Sequence, residues 1–287
     1  MAEKKIYLSV KDYSVSGEEF KLLHDEDLEM LETSPCPSLD KLPKYYESED
    51  YISHTDNKRN LIEKVYHLIK WISLRKKLKL INSFKANGKS LLDVGCGTGD
   101  FLELTFKKGW EILGIEPNDR AREMANKKTK GVVFGTEKLQ KIKANSFDVI
   151  TLWHVFEHLH NPEVQLALFR ELLKEEGVLI IAVPNFKSYD AAYYKNYWAA
   201  YDVPRHLWHF SQGSIERLTE RRQMKITQIH PMIFDAFYVS ILSEKYKTGK
   251  INPFKAFWVG CRSNLKGLRN GEYSSLIYII KKRKIQF

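Results

Sequence analysis

Three glycines at alternate positions, Gly95, Gly97 and Gly99, follow the apolar run Leu91-Leu92, the acid Asp93 and Val94. Glycine has no Cβ and takes positive φ freely, so backbone here can turn tightly and approach a ligand closely. Residues 91–94 read as the end of a buried strand. Phe101-Leu102-Glu103-Leu104 reads as the opening of a helix, whose first N–H groups lack intrahelical partners. The spacing is G-x-G-x-G, not the G-x-G-x-x-G of the dinucleotide fingerprint. A second apolar stretch, Trp110–Ile115, ends at Glu116, and Pro117-Asn118 opens the next helix. A carboxylate at the tip of the neighbouring strand, about 20 residues past the first glycine, can accept both hydroxyls of a ribose. A solvated strand-end charge is the plainer role for the same residue. With the turn, the expected cofactor contacts are Asp93, Gly95, Cys96, Gly97, Gly99, Glu116 and Pro117.

The next concentration of chemistry is Trp153-His154-Val155-Phe156-Glu157-His158, at the end of the apolar run 147–152. In open α/β sheets ligands lie outside the carboxyl ends of the strands, where strand order reverses, so this segment should face the glycine turn. Trp153 and His154 then contact the cofactor, and His154 and His158 are candidate catalytic bases, since imidazole exchanges protons near neutrality. Glu157 is a candidate substrate contact. A divalent cation on His154, Glu157 and His158 would lower the pKa of a bound hydroxyl. Helix capping by Glu157 and His158 is the structural alternative, and no metal is assigned.

A third cluster, Tyr193 to Ser211, holds Tyr201, Asp202, Arg205, His206 and His209 among tyrosines and tryptophans. It suits a planar or anionic acceptor, with Arg205 offering a fork to carboxylate or phosphate and His206 a further candidate base. Tyr201, Arg205 and His209 are expected to bind substrate. A rigid loop in which Arg205 pairs with Asp202 accounts for the same residues.

The elements that must position these groups alternate. Strands are expected at 90–94, 111–115, 131–134, 147–152, 177–183 and 225–231, and helices near 100–108, 118–128, 162–174 and 212–222. Strands separated by single helices predict a parallel sheet covered on both faces. A long helix capped by Asp56 or Asn57 should run to about Phe84, with Asn87-Gly88 as its stop, forming an N-terminal helical cap. Residues 1 to about 50 show no clear pattern. Residues 235–268 predict one or two helices before a last strand over 273–280.

The pattern D-x-G-x-G-x-G at Asp93–Gly99 resembles that of class I S-adenosylmethionine (SAM) methyltransferases. The His154–Pro162 segment resembles the one after strand four in ubiquinone/menaquinone-type methyltransferases. Asp202–Ser211 resembles a string found in bacterial methyltransferases of the methyltransferase 23 type. The resemblance implies a Rossmann-like seven-stranded sheet, mostly parallel with the last strand antiparallel. Residues 57–287 would form the SAM-binding domain and 1–56 a lead-in and cap. It implies transfer of a methyl group from SAM to a small-molecule acceptor, leaving S-adenosylhomocysteine (SAH). The connection before the last strand, about 40 residues against the family's usual short hairpin, is read as a helical insertion over 235–270 that covers the site or makes a homodimer contact. Tyr45-Tyr46 and the following residues resemble a tyrosine segment lying over the SAM pocket in such proteins, which makes Tyr51 and His54 candidate substrate contacts. Relatives often carry a zinc ribbon before it. The place around His24–Asp27 has no cysteine, so no zinc is expected.

Composition bounds the alternatives. The 287 residues suffice for one large domain with additions, and no apolar run approaches a membrane span. The start Met1-Ala2-Glu3-Lys4-Lys5 lacks a signal-peptide core. Three dispersed cysteines exclude a disulfide framework and point to the cytoplasm. Residues 12–50 carry twelve acids and three lysines, so of the net +10 the rest of the chain carries +19. Such charge permits contact with nucleic acid or anionic membrane, but no RNA-binding signature accompanies it and nucleic acid is disfavoured. The rival functions are another nucleotide-binding α/β enzyme, such as a dehydrogenase, and a degenerate methyltransferase fold that only binds.

Overall fold

The computed structural model describes residues 4–38, 40–46, 61–84 and 88–283. The acidic lead-in, expected to be without pattern, forms strands Lys5–Lys11 (β1), Glu19–Asp25 (β2) and Met30–Ser34 (β3). Its alternation is short and half concealed by charge: Phe20 and Leu22 point inward between exposed Glu19 and Lys21. Asp12 secures the β1–β2 turn by accepting from the backbone N–H groups of Ser14, Val15 and Ser16. The three strands are antiparallel, and Trp208–His209 (β9) adds a fourth beside β3.

The first helix is Leu61–Asn82 (α1). The expected caps Asp56 and Asn57, and the stop at Asn87, lie outside the described residues. The alternating region then gives Ser90–Val94 (β4), Asp100–Phe106 (α2), Glu111–Ile115 (β5), Asp119–Thr129 (α3), Val133–Phe134 (β6), Phe147–Trp153 (β7), Pro162–Leu172 (α4) and Leu173–Pro184 (β8). Tyr189–Tyr194 (α5), Gln212–Arg221 (α6) and Met224–Pro231 (β10) follow. The insertion is two helices, Asp235–Thr248 (α7) and Pro253–Asn270 (α8), split by Gly249 at φ 73° and by the Asn252-Pro253 start. Strand Ser275–Lys282 (β11) closes the chain's sheet.

The seven strands lie in the order β10-β11-β8-β7-β4-β5-β6, and β11 alone runs antiparallel to its neighbours. The expected strands all form. The one sizeable boundary change is β8, which begins at Leu173 beside Phe147, where helix had been expected. Buried Leu172 and Leu173 gain more from the sheet than from another helical turn. The central strands are apolar on both faces, as a covered parallel sheet requires. Strand order reverses between β4 and β7, and the crevice outside their carboxyl ends is where the glycine turn and Trp153–His158 meet. Among the described residues, no helix is long and apolar enough to cross a membrane.

Candidate active site

Gly95, Gly97 and Gly99 all have left-handed φ (69°, 56° and 79°), but for different reasons. A Cβ on Gly95 would stand 2.4 Å from Val155 Cγ2, and one on Gly99 would stand 2.8 Å from Ala125 Cβ. These two glycines let β7 and α3 close on the turn. A Cβ on Gly97 would meet nothing within 4 Å, so its backbone is the bare face of the crevice. The Gly95 and Cys96 N–H groups donate to Ile115 O, fixing the turn to the end of β5.

Glu116 is buried, and its carboxylate accepts from the N–H groups of Gly97 (2.8 Å) and Asn118 (2.9 Å). Burial raises its pKa and those two bonds oppose the rise. They orient the carboxylate while leaving each oxygen another lone pair for a ligand hydroxyl. Asp93 Oδ1 accepts from Thr151 Oγ1 at 2.6 Å. Burial pushes its pKa up to about 7, against that bond and the charge of Lys77. Trp153 stands edge-on to Phe101, and its buried indole N–H has no partner among the described residues. The Cys96 thiol is pushed up by burial. The Pro117 carbonyl accepts from Arg122.

Beyond β7 a chamber of about 460 Å³ opens. Its walls include His154, His206, Asp202 and Asp235, with Tyr13, Tyr45, Tyr46, Tyr238 and Tyr246 around them. His154 holds a left-handed φ of 56°, strain of the kind concentrated at functional sites. Its Nε2 lies 3.0 Å from Asp235 and its Nδ1 3.5 Å from Glu157. Burial works against the charged ring, but the two carboxylates outweigh it and raise the pKa to about 10. His154 is therefore imidazolium at neutral pH, which makes it a donor and not the base expected of it. His206 is held differently. Its Nδ1 lies 2.9 Å from Ala200 O, and its Nε2 faces the carboxylates of Glu157 and Asp202 at 4.0 and 3.9 Å.

His158 Nδ1 likewise lies 2.9 Å from Arg205 O and 3.1 Å from the Tyr46 hydroxyl. Burial and then the charge of His206 push its pKa down to about 4. Ligand atoms of Glu157, His158 and His206 all fall within 4.8 Å of one another. Glu157 is buried, and neither carboxylate oxygen has a hydrogen-bond partner among the described residues. These three residues could hold a cation. His154, included on sequence grounds, is turned toward Asp235.

Several expected substrate contacts prove to be struts. Arg205 donates to both oxygens of Asp202, to Tyr45 O and to Asp12 Oδ1, so its fork is spent inside the protein although it borders the chamber. His209 is buried in β9 with Nε2 at 3.0 Å from Thr33 Oγ1. Thr33 donates to His206 O, so His209 Nε2 is the donor here. Tyr201 is buried between Trp198 and His209. Neither Tyr201 nor His209 lines the chamber. Pairing of β3 with β9 takes up His209, and Tyr201 packs against it, a contact that no local pattern could announce. Tyr51 and His54 lie outside the described residues.

Two residues went unnoticed in sequence. Lys77 of α1 places Nζ 4.3 Å from the Trp153 ring centroid. Burial lowers its pKa to about 8, against the negative charges of Asp93 and Asp235. Asp235 opens α7 and reaches His154 from the insertion. Lys77 sits in a lysine-rich helix where nothing marks one lysine from the next.

A family model described as a methyltransferase domain matches residues 57–229, more than half of the chain. The chain belongs to that methyltransferase family. Its sheet order and single antiparallel strand are those of the class I SAM-dependent fold. A SAM-dependent methyltransferase from Archaeoglobus fulgidus superposes with TM-score 0.51 at 19% identity, over 74% of this chain and 93% of that one. In sequence, a ubiquinone biosynthesis O-methyltransferase of Actinobacillus pleuropneumoniae is 34% identical over 115 residues, 35% of this chain and 49% of that protein. One from Idiomarina loihiensis is 25% identical over 171 residues, 55% and 70% of the respective chains. The chain spans about half the length of the first of these relatives. The family's cofactor, SAM, fits the residues present: a bare glycine backbone and a carboxylate oriented by two backbone N–H groups meet in one crevice.

Proposed function

We propose that this methyltransferase moves the methyl group of SAM to a hydroxyl on a planar small molecule held in the tyrosine-walled chamber. The observation that carries the reading is the adjacency of two sites. Val155 packs on Gly95 of the cofactor turn, while its neighbour His154 lines the chamber. Bound SAM supplies an electrophilic methyl on a sulfonium.

The protein's part is to hold the two reactants in line and to manage one proton, and alignment accounts for most of the acceleration. Glu116 receives the ribose hydroxyls and Asp93 the cofactor's amino group, while Gly97 admits the methionine portion. His206 Nε2 takes the proton of the attacking hydroxyl. Glu157 Oε1, 4.0 Å from that nitrogen, stabilises the imidazolium formed. His154, held charged by Asp235 and Glu157 with both ring N–H groups directed at those carboxylates, sets a positive charge at the chamber wall that favours the developing oxyanion. The tyrosines suit an aromatic ring. The relatives named for O-methylation in ubiquinone biosynthesis support oxygen as the attacking atom.

A specific observation also favours metal assistance, namely the buried Glu157 carboxylate, which accepts no hydrogen bond among the described residues and lies with His158 and His206 within 4.8 Å. A cation there would acidify the hydroxyl in place of a base.

The test measures SAH binding by calorimetry, then transfer of labelled methyl from SAM to a panel of catechols and phenols. Micromolar SAH binding and turnover that falls at least tenfold in His206→Ala are expected. Absence of SAH heat at millimolar ligand defeats the reading. Activity abolished by chelation and restored by Zn2+, Mn2+ or Mg2+ would transfer the proton-removing role to a metal.

A further inference from the structure

Helix α8 carries three stripes. Its buried side is small: Ala256, Val259, Gly260, Ser263 and Gly267 pack inward, and Phe237 of α7 lies against Gly260. At 100° per residue, the opposite side gathers Phe254, Phe257, Trp258, Cys261, Leu265 and Leu268 into one band. Phe254 is 88% exposed and Leu268 72%, and Phe257 and Leu265 are also mostly exposed. Along one edge of that band run Lys255, Arg262, Lys266 and Arg269, and the helix contains no acid. Lys255 approaches buried Glu244, whereas among the described residues no carboxylate forms an ion pair with Arg262, Lys266 or Arg269. Arg262 lies over the Trp258 ring, 4.7 Å from its centroid.

Singly exposed apolar residues are ordinary, but a continuous aromatic and leucine band is not. From this arrangement we propose that α8 docks the methyltransferase on an anionic lipid surface, its apolar band entering the headgroup–acyl boundary and its cations meeting lipid phosphates. The charge selects the occupant. A second copy of the chain would bring the same acid-free basic stripe to the contact, and like charges would face each other. A nucleic acid would satisfy the cations but leave Phe254, Leu265 and Leu268 in water. The convex band needs no shaped partner, only a fluid surface that admits side chains. Helix α7, against which α8 packs, walls the chamber through Tyr238, Leu242 and Tyr246.

The inference goes beyond methyl transfer and is read without it. The full chain is floated with vesicles of phosphatidylcholine alone and with vesicles containing one quarter phosphatidylglycerol, at about 0.1 M salt. Binding to the anionic vesicles should exceed binding to the neutral ones at least tenfold, and weaken as salt rises. The triple variant Phe254→Ser, Leu265→Ser, Leu268→Ser alters only exposed positions, so its melting temperature should match the parent. It should lose at least nine-tenths of the bound fraction, as should Lys266→Glu with Arg269→Glu. Absence of anionic-vesicle binding at millimolar lipid overturns the proposal. So does undiminished binding by the triple variant, or a solution dimer that this variant dissociates.

Discussion

Gly97→Ala separates a folding role for the glycine turn from a binding role. Gly97 has φ 56°, and a Cβ there meets nothing within 4 Å. Alanine in the left-handed region costs about 1–2 kcal/mol. At roughly 2–4 °C per kcal/mol for a chain of this size, the melting temperature should fall by about 2–8 °C. The new methyl, however, stands in the crevice where the cofactor must touch backbone. Overfilling a packed contact costs about 1–3 kcal/mol. Displacing the ribose from Glu116 forfeits about 1.5–3 kcal/mol of charged hydrogen bonding. Together these predict a loss of SAH affinity of at least about 60-fold, at 1.4 kcal/mol per decade. Calorimetric titration with SAH and a thermal melt measure the two effects separately. Gly109→Ala is the control, because that residue has φ 81°, also meets nothing within 4 Å and lies away from the crevice. It should show the melting shift without the affinity loss. SAH binding by Gly97→Ala within threefold of the parent would refute the assignment of this turn to the cofactor.

Glu116→Gln keeps the shape but removes the charge, and should weaken SAH binding about 10- to 100-fold by calorimetry. Asp93, with its pKa pushed up to about 7, should make SAH affinity pH-dependent. Its ionised form is the one that attracts the ligand's amino group, so affinity should fall toward tenfold per unit as pH drops below about 7. Asp93→Asn should flatten that slope. In the ligand-free protein the same group acts oppositely on stability. A carboxyl raised in the folded state favours folding while protonated, and that contribution is lost as pH rises from about 4 to about 7. Asp93→Asn should therefore narrow the change in melting temperature across this window. Asp12→Ala leaves the buried Arg205 guanidinium short of a partner and unties the β1–β2 turn. It should destabilise the protein by about 3–5 kcal/mol in urea unfolding.

The sequence alone determined the alternating sheet, the cofactor turn and the acid at the tip of the second parallel strand. Each of these is written in contiguous residues, as apolar runs broken by glycine or proline, and short-range backbone preference suffices to place them. The direction of the last strand and the helical character of the insertion were legible for the same reason, helped by family resemblance. What the tertiary structure decided was how the polar side chains are employed. Arg205, apparently free to grip a substrate, is held by Asp12 from 193 residues away. His209 is absorbed by Thr33 across a strand pair that joins the two ends of the first 210 residues. His154 becomes a cation and the His206 ring is oriented because Asp235, Glu157 and the Ala200 carbonyl reach them from separate elements. A proton's position depends on the neighbours that folding brings within about 4 Å, and residue spacing along the chain carries no record of them.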